Sequence, residues 1–224
     1  MPTEPVLTIS ELFFSLQGES TYAGLPCVFI RLSGCNLRCL YCDAAYTQRE
    51  GGTTHTLTTL LAFADRYPGT MIEITGGEPL LQPNVIPLLQ LLVDQGRTVL
   101  LETNGSQDLS PVPAGVVIIM DVKCPGSGMA HSLRRENFAL LKPQDEIKFV
   151  LSSESDYQWA LACISAHQLL DPASGRARHP LLFSPVAGAL PPADLAAWML
   201  RDNLPIRLQL QLHKQLWPGV ERGV

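Results

Sequence analysis

Short apolar runs alternate along the chain with longer stretches in which apolar residues recur at helical spacing. The short runs are typical of buried strands and predict strands at residues 27–32, 71–75, 98–102, 116–121, 146–151, 180–183 and 206–212. The longer stretches predict helices at residues 56–66, 84–95, 132–141, 153–169 and 193–201. Capping residues agree with these bounds: Thr56 and Asn84 suit helix starts, Gly96 suits a helix end, and Pro191 and Pro192 suit the start of the last helix.

The order of strands and helices predicts the fold class. Strands that alternate with helices are joined by right-handed crossovers into a mostly parallel sheet with the helices outside it. A chain of 224 residues is shorter than a full eight-stranded barrel typically needs. We therefore predict an α/β fold, an incomplete and open (β/α) partial barrel with about six or seven mostly parallel strands. We expect a single domain over residues 1–224.

Composition and charge narrow the class of protein. Hydrophobic residues make up 46% of the chain and charged residues 17%, which suits a globular domain with a full core. The formal net charge of -5 gives no reason to expect nucleic acid as a partner. No apolar run approaches the roughly 20 residues of a membrane helix, and residues 1–10 lack a signal-peptide pattern. We therefore expect a cytoplasmic protein that binds neither a membrane nor nucleic acid.

Polar and turn-forming residues follow most of the predicted strands. In parallel α/β folds the carboxyl ends of the strands carry the site, so residues there are candidates for chemistry. The segments that follow strands are the loop with three cysteines, Gly76-Gly77-Glu78-Pro79, Thr103-Asn104-Gly105, Lys123-Cys124-Pro125-Gly126, Ser184-Pro185 and His213-Lys214. Each loop alone could be an ordinary turn. Together on one rim they predict a functional site.

Three of the six cysteines crowd into one loop: Cys35, Cys39 and Cys42. This crowding is poor for disulfides and good for a shared metal, so we expect reduced thiols that hold a 4Fe-4S cluster with one iron left open. A structural zinc site is the alternative, but neither Asp43 nor His55 lies at a standard spacing for a fourth ligand. Cys124 follows a rim strand and could serve the site. Packing is nevertheless the preferred interpretation for the other cysteines: Cys27, Cys124 and Cys163.

The spacing Cys35-x3-Cys39-x2-Cys42 resembles the signature of the radical S-adenosylmethionine (SAM) superfamily. The resemblance implies that the methionine moiety of SAM chelates the open iron and that Tyr41 lies beside the adenine. Cleavage of SAM would release a 5′-deoxyadenosyl radical, which abstracts a hydrogen atom from the substrate. The cofactors then perform the hard chemistry, while the protein orients the substrate and excludes water and oxygen.

The loop Thr75-Gly76-Gly77-Glu78-Pro79 resembles the GGEP loop of the same superfamily. Glycine lets the backbone approach the methionine end of SAM, and the Glu78 carboxylate can fix a loop or accept from the ammonium group. A tight turn is the alternative for this loop, and a solvated pair of charges is the alternative for Asp121 and Lys123. The resemblance implies these cofactor contacts: Tyr41, Cys42, Asp43, Gly76, Gly77, Glu78, Thr103, Asn104, Asp121, Val122, Lys123 and Ser184.

Segments along the whole chain resemble the family of 7-carboxy-7-deazaguanine synthases: FSLQGES at 14–20, AGLP at 23–26, FIRL at 29–32, DVK at 121–123, KFV at 148–150, FSP at 183–185 and QLQLHK at 209–214. The resemblance implies a ring contraction of 6-carboxy-5,6,7,8-tetrahydropterin to 7-carboxy-7-deazaguanine with loss of ammonia. Arg31 can bind a carboxylate bidentately, and Gln17 offers a donor and an acceptor to a pterin edge. His213 could equally be a surface histidine. The implied substrate contacts are Leu16, Gln17, Gly18, Arg31, Thr75 and His213.

One position departs from the family pattern. Most relatives have a threonine or serine whose hydroxyl ligates a magnesium ion that bridges to the substrate, whereas Ala44 follows Cys42-Asp43 here. Because alanine cannot ligate a metal and magnesium keeps several waters, the site could persist with water, shift to Asp43 or be absent. We expect Ala44 to weaken any dependence of turnover on magnesium.

Two rival functions fit part of the pattern. A glycyl-radical activating enzyme shares the cysteine spacing but acts on a partner protein, whereas residues 16–19 favour a small enclosed substrate. A non-catalytic metal-binding module would follow from the zinc interpretation. Relatives in the resembled family also suggest a homodimer, and a flavodoxin is the expected reductant.

Overall fold

The computed structural model describes residues 4–224, which form a nine-stranded sheet with helices packed against it. The strands are β1 (Val6–Leu16), β2 (Pro26–Leu32), β3 (Thr53–Thr56), β4 (Met71–Gly76), β5 (Val99–Thr103), β6 (Val116–Lys123), β7 (Glu146–Leu151), β8 (Leu181–Pro185) and β9 (Arg207–Leu208). Their order across the sheet is β3-β1-β2-β4-β5-β6-β7-β8-β9, and the edge strands β3 and β9 do not pair with each other. The sheet is therefore open, as the sequence predicts.

The strands β2 and β4 to β9 form the parallel part of the sheet, and they coincide with the seven apolar runs. The predicted α/β class with mostly parallel strands is thus confirmed. The last strand is shorter than predicted, because only two residues of the range 206–212 pair with β8 and Leu212 already begins a helix.

The sequence pattern misses two strands, β1 and β3, which lie antiparallel at one edge. In β1 the register against β2 shifts between Ile9 and Glu11, so the alternation of inward and outward side chains is interrupted there. A search for strict alternation therefore overlooks this strand of 11 residues. The strand matters for the site because it ends at Leu16, the first of the implied substrate contacts.

The helices are α1 (Tyr46–Arg49), α2 (Leu57–Ala64), α3 (Val85–Asp94), α4 (Glu154–Ala166), α5 (Pro192–Arg201) and α6 (Leu212–Leu216). Thr56 caps α2, since its side chain accepts a hydrogen bond from the Thr59 amide. Asn84 does not cap α3 by its side chain; its amide instead donates to Val6 O at 2.9 Å and holds β1 against the helix start. Within residues 4–224, the helices are all too short or too polar to span a membrane.

The predicted helix over residues 132–141 is wrong. The segment contains two short 3-10 helices, Ala130–Ser132 and Arg135–Leu140. The buried Asn137 amide donates to Gly105 O at 2.9 Å and to Gln107 O at 2.7 Å. Because these tertiary hydrogen bonds tie the segment to the loop after β5, they override the local helical spacing.

The apolar core lies on the outer face of the sheet, between the strands and the helices. Beneath α2 and α3 it contains the fully buried Ile74 and Leu88, and beneath α4 and α5 it contains Phe149 and Phe183. Three cysteines are buried as free thiols among apolar side chains, the placement that the packing interpretation predicts: Cys27, Cys124 and Cys163. The inner face is different, because the alternate residues of the same strands are polar there. Arg31 lies opposite Thr75 in the register of β2 and β4.

Candidate functional site

A cavity of about 440 Å³ lies on the inner face of the sheet, at the carboxyl ends of the parallel strands. Loops that follow several strands meet there, as they do at the sites of related α/β architectures. The cavity is lined by these predicted residues: Leu16, Gln17, Gly18, Arg31, Cys35, Cys39, Tyr41, Cys42, Asp43, Ala44, Thr75, Gly76, Gly77, Thr103, Asn104, Asp121, Lys123 and His213. The structure therefore brings the cysteine loop, the glycine loop and the proposed substrate segment together.

Three of the predicted residues lie outside the cavity lining: Glu78, Val122 and Ser184. Glu78 is fully buried and accepts hydrogen bonds from Thr103 Oγ1 at 2.9 Å and from the Asn104 amide at 2.8 Å. Burial raises the pKa of Glu78, although these hydrogen bonds oppose the shift. The geometry favours the loop-fixing role for this carboxyl. Val122 packs in the outer core, and Ser184 is buried with no hydrogen-bond partner for its hydroxyl in the described residues.

The three thiols of the cysteine loop are partly buried and free, and burial raises the pKa of each. Tetrahedral zinc would hold its sulfur ligands about 4 Å apart. Within residues 4–224, no group of three ligand atoms that all lie within 4.8 Å of one another includes these sulfurs. A 4Fe-4S cluster instead takes each thiolate on a different iron. The three thiols are therefore not drawn together as ligands of one shared zinc ion would be.

The glycine loop packs directly against the cysteine loop. A Cβ atom at Gly77 would lie 2.2 Å from Gly34 O and 2.7 Å from the Cys35 Cβ, so a side chain has no room there. The Glu78 amide also donates to Gly34 O at 2.9 Å. The bare backbone at Gly77 is what allows this close approach. The glycine loop and the cysteine loop therefore pack as one unit. A tight turn alone, the alternative for the glycine loop, does not require this contact.

Another part of the cavity wall comes from Tyr41 and from the end of β6. Tyr41 donates its hydroxyl hydrogen to Val150 O at 2.9 Å, which holds the ring in the cavity wall. Lys123 Nζ lies 2.9 Å from Asp121 Oδ2, and only 20% and 9% of their side chains are exposed. Burial opposes the charge of Lys123, but Asp121 raises its pKa. The pair is therefore not the solvated alternative, and the Lys123 charge lowers the pKa of Cys39 against the effect of burial.

Arg31 projects from β2 into the cavity. Its Nε atom lies 3.2 Å from Glu11 Oε2, and its guanidinium carbon lies 5.7 Å from the centre of the Phe13 ring. The two terminal nitrogens make no hydrogen bond to the described residues. Because a guanidinium binds a carboxylate through such a fork, Arg31 can take an anionic group of a ligand.

His213 lies against the segment that follows β1. A Cβ atom at Gly18 would come within 2.4 Å of His213 Nδ1, and the Leu212 amide donates to Gly18 O at 2.8 Å. The start of α6 thus closes the cavity beside residues 16–18. His213 is partly buried and lines the cavity.

A buried charge cluster in the cavity wall is absent from the predicted site. Lys148 on β7 is 3% exposed and lies 2.6 Å from Glu19 Oε2 and 3.4 Å from Asp121 Oδ2, and it also pairs with Glu102. Burial opposes its charge, but the three carboxylates, led by Glu102, raise the pKa of Lys148 well above its usual value. Charged residues inside apolar strand sequences were the available signal, because the inner face is the place where they find partners.

Glu73 lies on β4, two residues before Thr75, and is 3% exposed. Gln17 donates a hydrogen bond from Nε2 to Glu73 Oε2, while Gln17 Oε1 accepts from the Glu19 amide at 2.9 Å. Burial, together with the charge of Glu102, raises the pKa of Glu73 well above its usual value. The Gln17 amide is therefore engaged at both its oxygen and its nitrogen within the protein.

Three ligand atoms near the cavity mouth lie within 4.8 Å of one another, one each from Glu19, Asp43 and His213. Ala44 lies beside them in the lining and supplies no ligand. Carboxylate oxygens suit a hard cation such as magnesium. Asp43 and Glu19 can therefore offer oxygen ligands where the hydroxyl of the family pattern is missing.

Comparisons with known proteins identify the family of the chain. A model of the radical SAM superfamily matches residues 29–112. The chain is 45% identical to the 7-carboxy-7-deazaguanine synthase of Chlorobaculum tepidum, with 100% of both chains covered. It is 44% identical to the protein of the same name from Koribacter versatilis, covering 97% of this chain and 100% of that relative.

Solved structures support the fold. QueE from Escherichia coli has a TM-score of 0.73 at 24% identity, covering 93% of this chain and 95% of that chain. SuiB from Streptococcus suis bound to S-adenosylmethionine has a TM-score of 0.56 at 12% identity, covering 83% of this chain and 50% of that chain. Because the chain is 45% and 44% identical to two relatives over their full length and matches the superfamily model, it belongs to the 7-carboxy-7-deazaguanine synthase family of radical SAM enzymes.

Proposed function

We propose that this enzyme converts 6-carboxy-5,6,7,8-tetrahydropterin to 7-carboxy-7-deazaguanine with release of ammonia. The observation that carries the proposal is that one cavity of about 440 Å³ contains both the cysteine loop and the free guanidinium fork of Arg31. A volume of this size suits a small heterocycle. The full-length likeness to 7-carboxy-7-deazaguanine synthases supports the same reaction.

The enzyme uses a 4Fe-4S cluster and SAM, as its superfamily does. When bound, they supply a 5′-deoxyadenosyl radical that abstracts the hydrogen from C6 of the pterin. We assign the cluster to Cys35, Cys39 and Cys42. Backbone at Gly76 and Gly77 admits the methionine end of SAM, Thr103 and Asn104 meet its carboxylate, and Asp121 and Lys123 meet the ribose and carboxylate. Tyr41 provides an aromatic wall for the adenine.

A second set of cavity residues holds the substrate. Arg31 binds the carboxylate of the pterin, and backbone groups of Leu16 and Gly18 contact the ring together with Thr75 and His213. Lys148 keeps its proton at Nζ and pairs with Glu19, Glu102 and Asp121, while Lys123 supplies a second positive charge beside Asp121. Loops on several sides exclude water from the radical.

Anaerobic reconstitution with iron and sulfide tests the proposal. We expect 7-carboxy-7-deazaguanine, detected by mass spectrometry, when SAM, a reductant and the carboxytetrahydropterin are added. If 5′-deoxyadenosine accumulates without that product, the substrate is wrong. If neither forms in protein with a verified cluster, a glycyl-radical activating enzyme or a binding module takes its place, and the former would need a protein partner for turnover.

The finer expectations from the family pattern stay predictions. A flavodoxin-like reductant, a homodimer and a cytoplasmic location belong to these. For magnesium, we infer that Ala44 weakens the dependence of turnover on the ion. The ligand atoms of Glu19, Asp43 and His213 support a cation site that lacks the hydroxyl ligand of the family pattern.

A further inference from the structure

Glu73 is a buried carboxyl group of the cavity with no basic partner. Glu19, Glu102 and Asp121 each pair with Lys148. Within residues 4–224, Glu73 has no Lys, Arg or His nitrogen within 4.0 Å, and its Oε1 atom has no hydrogen-bond partner. A buried carboxylate without a cation or several donors is unfavourable for stability. Its placement therefore calls for a reason other than folding.

The surroundings of Glu73 describe the shape of a ligand. Phe29 lies opposite Glu73 in the register of β2 and β4, and its ring stacks on Phe13 with 4.6 Å between centroids. Arg31 follows Phe29 by two residues on the same face, which is about 6.6 Å along a strand. Arg31, Phe29 and Glu73 thus offer an anion-binding group, a flat ring and a hydrogen-bond acceptor next to one another in the cavity wall.

We propose that the Glu73 carboxylate determines specificity by accepting hydrogen bonds from N3-H and the 2-amino group of the pterin. This inference rests on the proposed function, because that substrate has a carboxylate at one end and these two donors at the other. The Oε1 atom and a remaining lone pair of Oε2 provide the two acceptors. Paired N-H donors facing one carboxylate are a strong, charge-assisted arrangement.

Gln17 takes a supporting part in this arrangement. Its amide donates to Glu73 and accepts from the Glu19 backbone, so it fixes the direction of the carboxylate. Gln17 is therefore a positioning residue, and Glu73 is the group that touches the pyrimidine edge. The neighbouring Glu102 is held by Lys148 and accepts from Thr75 Oγ1 at 3.1 Å, so it is not free for the same task.

The test compares two substrates in wild type and in Glu73→Gln. The second substrate is the analogue of the carboxytetrahydropterin that lacks the 2-amino group. We expect wild type to prefer the parent compound by about tenfold or more in kcat/KM, because a charge-assisted hydrogen bond is lost with the analogue. In Glu73→Gln the parent should lose about tenfold or more, mainly through KM, and the preference should vanish.

Glu102→Gln is the matched control, since it changes a partly buried carboxyl in the same cavity. We expect it to lower turnover of both substrates by a similar factor and to keep the preference. Cluster absorbance and circular dichroism verify that each variant is folded. Gln17→Met removes the side-chain amide that fixes the direction of the Glu73 carboxylate, so this variant should reduce the preference as well.

The outcomes separate the two proposals. If wild type makes no product from the parent compound, the proposed function is wrong and this inference falls with it. If wild type turns over the parent and folded Glu73→Gln keeps the wild-type preference, only the role of Glu73 is wrong. A preference that vanishes in Glu73→Gln and persists in Glu102→Gln supports the role.

Discussion

The two faces of the sheet differ in what their residues contribute. In β4, Ile72 and Ile74 point to the outer face and are fully buried in the apolar core, whereas Glu73 and Thr75 between and after them line the cavity. Side chains that alternate along six residues thus serve either packing or the site. Substitutions on the outer face must preserve the shape of the side chain, because this face is packed with apolar residues. The inner face holds charges whose stability depends on their partners.

The inner face therefore presents charges and dipoles in fixed positions, whereas the outer face is close-packed apolar side chains. Glu19, Glu102 and Asp121 each pair with a lysine, whereas Glu73 has no lysine or arginine partner within the described residues. A change on the inner face should alter chemistry and its pH dependence. A change on the outer face should alter the free energy of unfolding at every pH.

The largest expected effect separates two cysteines. Cys42→Ala should reduce product below detection, because the cluster loses one of its ligands. Cys163→Ala on the outer face should keep the cluster absorbance and turnover per folded protein while lowering stability by about 1–2 kcal/mol. The visible absorbance of the cluster and thermal unfolding measure the two effects. Product formation by Cys42→Ala at the wild-type level would contradict the assignment of Cys42 as a cluster ligand.

The next effect compares Lys148→Met with Leu88→Ala. Removing Lys148 leaves buried carboxylates uncompensated and should destabilise the fold by about 3–5 kcal/mol near neutral pH. Removing the Leu88 side chain leaves a cavity and should cost about 2–5 kcal/mol. Because acid protonates the carboxylates, the loss in Lys148→Met should shrink at low pH, while the loss in Leu88→Ala should not. Urea unfolding at several pH values measures both, and equal pH dependence would argue against the contrast.

A smaller effect concerns the cavity mouth. Ala44→Thr restores the hydroxyl of the family pattern, so magnesium should stimulate its turnover more strongly than that of wild type, with an apparent affinity about tenfold higher. Ala45→Thr is the matched control at the adjacent position and should behave as wild type does. Initial rates across a magnesium titration measure the difference. Strong stimulation of wild type by magnesium would contradict the weakening assigned to Ala44.

The smallest effect is a gain in stability. The folded pKa of Glu73 is raised by burial and by Glu102, so the native state loses stability from this group as pH rises through that pKa. Glu73→Gln should therefore stabilise the ligand-free protein by about 1 kcal/mol at alkaline pH, or roughly 2–4 °C in Tm. Below the ordinary pKa of a glutamate the gain should disappear. Thermal unfolding at both ends of this range measures it, and a destabilised variant at high pH would be the opposite result.

Sequence patterns predicted the face that packs better than the face that reacts. The apolar runs gave the parallel strands, and the motif at Cys35, Cys39 and Cys42 gave the cofactor. Glu73, Glu102 and Lys148 were missed because an ionisable residue within an apolar run does not reveal its partners, which come from distant strands. Glu11 was hidden for another reason, since the bulge in β1 removed the alternation that marks a strand.

The contacts between the segment after β1 and the start of α6 have a consequence for biosynthesis. Leu212 donates to Gly18 O, and Gln211 Nε2 donates to Glu19 Oε1 at 2.9 Å. The cavity wall after β1 thus depends on contacts with residues 192 positions later in the sequence. A nascent chain interrupted before residue 211 would contain the parallel strands β2 and β4 to β9 but only part of the cavity wall. Such a truncated chain should therefore lack turnover, because residues 18 and 19 lose the contacts that hold them in the cavity wall.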